Sequence, residues 1–150
     1  MKNKYGQVQL ERQSRKPSRL KAVQVVDGTT LQLTSGELAR LIGVSAPPPP
    51  HPPEGQEPFG PEAAQCLKEI IGGQRVRMEA GIEPRDSEGR LLAHVYTERG
   101  IYVNAELLRR GCAKLFIHGP NTGQLLKLVA AQEEARKARR GVWGQPALLP

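Results

Sequence analysis

Long apolar runs are missing from this chain. No stretch approaches the ~20 consecutive apolar residues that a membrane-spanning helix needs, so no membrane partner is expected. The opening "MKNKYGQVQLERQSRKPSRL" has no apolar core of the kind a secretory signal requires. As written, the chain reads as cytoplasmic. Cysteine is scarce: Cys66 and Cys112 lie far apart, in no CxxC or Cys/His spacing. That excludes a disulfide-rich scaffold and a zinc cluster. It favours two buried free thiols, with a single disulfide as the alternative. Aromatic residues make up only 4% of the chain, which leaves Tyr5, Tyr96 and Tyr102 as the candidates for stacking on bases. Acids are absent from Leu38 to Pro53.

What is present suits one soluble domain of 150 residues, 38% hydrophobic and 25% charged. The net charge of +7 is unevenly spread. Residues 1–26 carry seven Lys/Arg against one Glu, residues 27–107 seven against twelve acids, and residues 108–150 eight against two. Basic ends of this kind can bind phosphate backbones or form a solvated face. We read residues 1–20 as a basic arm with room for one short strand at 6–10, residues 21–143 as the folded domain, and residues 144–150 as a tail.

Alternation predicts strands at "KAVQVV", "TLQLT" and "LARLIGV", joined by turns at Asp27-Gly28 and Ser35-Gly36. Pro47 to Pro61 then holds eight of the 13 prolines. Pro61 starts a helix that Gly72-Gly73 stops. "QRVRMEA" and "LLAHVYT" are the fourth and fifth strands, with "EPRDSEGR" as the turn between them. "VNAELLRRG" is a short helix capped by Asn104. "CAKLFI" is short and apolar. "TGQLLKLVAAQEEARKARRG" is a helix whose buried stripe is Leu125, Leu128, Ala131, Ala135 and Ala138, and Trp143 anchors its end. Five strands with a helix between the third and fourth and two helices late predict an α+β fold: a five-stranded OB-type barrel with about three α-helices.

Six local motifs occur in order: "VVDGTT", "ARLIGVSAP", "FGPEA", "RDSEGR", "VNAELLRRGCAK" and a final "GVW". Together, over about residues 21–143, they resemble the staphylococcal (micrococcal) nuclease family. That resemblance implies an OB barrel with three helices. It also implies hydrolysis of phosphodiesters in DNA and RNA with a calcium ion, two metal-binding aspartates, a glutamate base and two arginines. Each has a physical reason. Calcium needs hard oxygen ligands, a water must be deprotonated, and the phosphate charge is best met by bidentate guanidinium groups.

By this resemblance Arg40 and Arg90 match the two arginines, and Asp27 matches the first acid of the Asp-Gly turn. The acids that would hold the metal and act as base are replaced. The first metal-binding position is Thr29, the second is Ser45, and the base position is Pro48. The reading is therefore a nuclease-like domain without calcium-dependent catalysis and with no expected cofactor. It binds single-stranded nucleic acid or nucleotide phosphates through Arg40 and Arg90, with Lys127 and Arg136 as further phosphate contacts. Arg40 could instead pair with Asp27 or Glu37 and serve only to hold the barrel. One alternative is an active calcium-dependent phosphodiesterase with relocated ligands, Asp27 with Glu54 or Glu57, in which Asp27 is the metal ligand. Asp27 reads otherwise as a turn residue, and His51 as a remote candidate base. The other alternative is a protein-interaction module that presents Pro47–Pro53 to an aromatic groove.

Overall fold

The computed structural model describes residues 19–46, 60–117, 119–121 and 123–144. Residues 1–18 of the arm, the Pro47–Pro53 segment with Pro48 and His51, the acids Glu54 and Glu57, and the last six residues lie outside these, as do Tyr5 and His118. The described residues include the strands β1 (Val23–Asp27), β2 (Thr30–Leu33), β3 (Leu38–Leu41), β4 (Val44–Ser45), β5 (Val76–Arg85), β6 (Leu91–Thr97) and β7 (Lys114–Leu115). Among the described residues the α-helices are α1 (Gly60–Ile71), α2 (Val103–Arg109) and α3 (Leu125–Ala138), the last followed by a 3-10 turn at Gly141–Gly144.

Five strands form one mixed sheet in the order β1-β2-β3-β6-β5, with β3 parallel to β6 and the other neighbours antiparallel. The two edges meet. Lys21, just before β1, and Val76, the first residue of β5, exchange both backbone hydrogen bonds, at 2.7 and 2.9 Å. This joins the outer strands at one end and gives the OB-type arrangement that strand count predicts.

Strand alternation points Leu31, Leu41, Val76, Ala93 and Val95 inward against Leu67 of α1, Val103, Leu107 and Leu108 of α2, and Leu128 of α3. Burying each such leucine or valine side chain contributes about 1.5–3 kcal/mol. The α3 stripe is narrower than its sequence suggests. Leu128, Ala131 and Ala135 are buried, whereas Leu125 is half-buried and Ala138 exposed. The helix begins at Leu125 and ends where Arg139 turns left-handed (φ 56°).

"LARLIGV" is not one strand. Gly43 adopts φ 84°, and a Cβ there would lie 2.6 Å from Leu128 Cδ1, so only glycine fits. The chain leaves the main sheet at that turn, and β4 pairs with β7 instead. β5 is also longer than "QRVRMEA", running through Arg85 after a bulge between Ala80 and Arg85. Only the end of "EPRDSEGR" is a turn.

Two side-chain expectations are corrected. Cys66 and Cys112 form a disulfide, with Cα atoms 6.5 Å apart across 46 residues of sequence. α1 packs on α2 and brings the two thiols together, a proximity that spacing along the chain cannot reveal. Asn104 does not cap α2, whose N-cap is Tyr102. Asn104 is fully buried, accepts from Val95 N–H at 2.9 Å, and donates to the carbonyls of Ile42 (2.8 Å) and Ala93 (3.1 Å). One side chain thus satisfies three backbone groups inside the core and ties α2 to β6 and to the β3–β4 turn.

Candidate phosphate site

The β1–β2 turn is built around Asp27. Its carboxylate accepts from Thr29 N–H at 2.9 Å, an Asx-type turn that holds the two-residue connection Gly28-Thr29. Gly28 admits no side chain: a Cβ would lie 2.6 Å from Ala63 Cβ and 3.0 Å from Ala46 Cβ. The turn is therefore pressed against α1 and against the residue after Ser45. Thr30 pairs with Arg40 in the β2–β3 register, and Leu41 N–H donates to Thr29 O at 2.9 Å. The Thr29 and Ser45 positions accordingly converge beside the strand that carries Arg40.

Neither position offers a carboxylate. Thr29 is buried, and Ser45 is half-buried at the end of β4. Asp27, the acid of the described β1–β2 turn, is already used by that turn. Among the described residues no three His, Cys, Asp or Glu side chains come together as a metal-binding group. A hard divalent cation needs several anionic oxygens, so the described donor set does not fit the calcium ion that the family resemblance implies.

The arginines do come together. Arg40 and Arg90 line one cavity of about 540 Å³, with Ile42, Gly43 and Leu92 in its wall and Phe116 exposed at its rim. Arg40 is held by its strand; its Nη2 donates weakly to Val44 O at 3.5 Å. It has no ion pair among the described residues. Glu37, one of the acids it could have paired with, binds Arg85 at 2.7 Å. Arg90 closes a tight turn. Asp86 accepts from the Arg90 backbone N–H at 2.9 Å and from Arg90 Nε at 2.7 Å. Partial burial works against the charge on Asp86, but the hydrogen bonds from Arg90 and from Glu88 N–H outweigh it and hold its carboxyl below the usual range. Asp86 thus aims the Arg90 guanidinium through Nε, while Nη2 makes only a long ion pair, at 3.6 Å, with the exposed Glu88 carboxylate.

Lys127 and Arg136 do not join this cavity. Both are exposed on α3, where Arg136 pairs with Glu133 at 2.9 Å and lies over the Trp143 ring at 5.5 Å. Tyr96 and Tyr102 stack on each other at 4.9 Å, and Arg77 covers Tyr96 at 4.2 Å, so they form their own cluster on β6 and α2. Three residues at or behind the cavity escape sequence reading: Arg85, Phe116 and Asn121. Arg85 had looked like part of a turn. Buried Asn121 accepts from Glu83 N–H at 2.8 Å and donates to Glu83 O at 3.0 Å, clamping the β5 bulge. The sequence signal for Arg85 was the cluster of charge around "EPRDSEGR".

Comparison with known proteins agrees with this fold. A family model described as staphylococcal nuclease homologue matches residues 39–145. The thermonuclease of Staphylococcus intermedius is 34% identical over 122 residues, covering 79% of this chain and 72% of that protein. The thermonuclease of Staphylococcus hyicus is 29% identical over 126 residues, covering 82% and 74%. Endonuclease YhcR of Bacillus subtilis (strain 168) is 36% identical over 133 residues, which are 81% of this chain but only 11% of that much longer protein. From the Arg40 strand to Trp143, fold, motif order and sequence identity lead to one assignment: this chain belongs to the staphylococcal nuclease homologue family.

Proposed function

We propose that this domain binds single-stranded nucleic acid through the Arg40–Arg90 cavity and does not carry out calcium-dependent hydrolysis. One observation carries the reading. The two arginines share a cavity of nucleotide size, while the neighbouring Thr29 and Ser45 positions offer no carboxylate. Arginine can clamp a phosphate without a metal, because its fork matches two phosphate oxygens. Hydrolysis needs more. Without metal and base, most of the rate is lost, since a positioned base alone contributes about 10²–10⁴-fold. The nuclease names of the relatives support a nucleic acid as the ligand class.

Fluorescence anisotropy with a labelled single-stranded oligonucleotide tests this. Binding by the wild-type chain should weaken steeply with salt as counterions are released. Arg40→Ala combined with Arg90→Ala should weaken it by about 100-fold, roughly tenfold for each charged contact. Undetectable binding at low salt, or equal binding by the double variant, sinks the reading.

A further inference from the structure

Arg85 lines the same cavity as Arg40 and Arg90. It arrives there by a bulge. β5 and β6 pair regularly from Val76 to Ala80 and resume only with Arg85 opposite Leu91. The extra residues are held by Asn121, which is buried, bonds both backbone groups of Glu83, and lies 2.7 Å from where a Gly81 Cβ would be. Bulges beside sites re-aim side chains, and this one turns Arg85 toward the cavity.

The Arg85 guanidinium is only partly engaged. Its Nη1 donates to Glu37 Oε2 at 2.7 Å and to Gly89 O at 2.8 Å. Its remaining N–H groups have no partner among the described residues. The bond to Gly89 fixes Arg85 to the same tight turn that carries Arg90. The pair with Glu37 is solvent-exposed, with side chains 51% and 37% accessible. Such pairs contribute little and exchange readily for another anion. Glu37 stands just before β3, whereas Arg40 lies within that strand. The Arg85 head group is thus tied to Glu37 and to Gly89 O, and Arg40 to Val44 O, so the two guanidinium groups are held by different partners along one cavity.

We infer that Arg85 is a further phosphate-binding residue that exchanges Glu37 for a second phosphate, so that the site prefers a ligand with two consecutive phosphates over a nucleoside monophosphate. This rests on the nucleic-acid reading above. The test compares a single-stranded trinucleotide carrying a 5′ phosphate with a nucleoside 5′-monophosphate, across wild type, Arg85→Ala, Glu37→Gln and the double variant.

Arg85→Ala should weaken trinucleotide binding about tenfold and lower the magnitude of its log–log salt slope by about 0.7. It should leave the monophosphate unchanged. Glu37→Gln removes the competing acid and should tighten trinucleotide binding about twofold to fivefold. That gain should vanish in the double variant. If wild type binds neither ligand, the nucleic-acid reading itself falls and takes this inference with it. If binding depends on Arg40 and Arg90 but is untouched by Arg85→Ala and Glu37→Gln, only the role of Arg85 is overturned.

Discussion

His94 stands on the outer side of β6 yet is 7% exposed, because Tyr102 covers it and its Nδ1 meets the Tyr102 hydroxyl at 2.8 Å. Burial disfavours the imidazolium and lowers its pKa below the ordinary 6.5; Glu79, its cross-strand partner, opposes that only in part. A histidine held neutral in the fold binds fewer protons there than when unfolded. Its contribution is therefore intact above about pH 6.5 and is lost as pH falls toward the lowered folded value. Urea midpoints should decline from pH 6.5 to 5 in wild type and stay flatter there in His94→Gln. An equal decline in both would place the acid sensitivity elsewhere. Legibility at this scale follows how local each signal is. Arg40, Arg90, Thr29 and Asp27 sit in short motifs whose spacing survives folding, so they could be assigned from the chain alone. Arg85 could not, because a bulge and a buried asparagine 36 residues away decide where it points.

At the scale of elements, the disulfide matters most. Cys66 lies on α1, the helix whose Ala63 is pressed against the Gly28 turn, and Cys112 directly follows α2. The link fixes the helix that backs the Thr29 position. Closing 46 residues into a loop stabilises by about 4 kcal/mol in the chain-entropy account. Cys66→Ser with Cys112→Ser, or reduction, should lower the urea midpoint by a corresponding amount. Two thiols that alkylate in the native protein, with an unchanged midpoint, would contradict the bond. Disulfides persist in oxidising compartments and are rare in the cytosol, so the bond and a cytoplasmic residence pull in opposite directions, and the same alkylation assay on protein from its native source decides between them. Strands were legible wherever polar and apolar residues alternate, as in "KAVQVV" and "LLAHVYT". They were not where one glycine breaks a strand, as Gly43 does, or where pairing resumes beyond a bulge, as β5 does.

Over the whole molecule, the barrel brings three things to one side: the turn that lacks a metal-binding acid, the strand with Arg40 and the turn with Arg90. The first depends on β1–β2, the second on β3, and the third on the end of β5 and the start of β6. Pairing of β2 with β3 and of β3 with β6, which sets Arg40 opposite Thr30 on one side and Leu92 on the other, makes them neighbours. In the proposed reading, phosphate recognition and metal catalysis rest on separable residues of one fold, and Arg40 and Arg90 serve the first while Thr29, Ser45 and Pro48 stand where the family resemblance implies the acids of the second. The most direct measurement is titration calorimetry of the full chain with calcium, with and without a thymidine bisphosphate-type ligand. The account predicts no heat of calcium binding and the same ligand affinity whether calcium or a chelator is present. Calcium binding at micromolar concentrations, or ligand affinity that collapses in chelator, would contradict it.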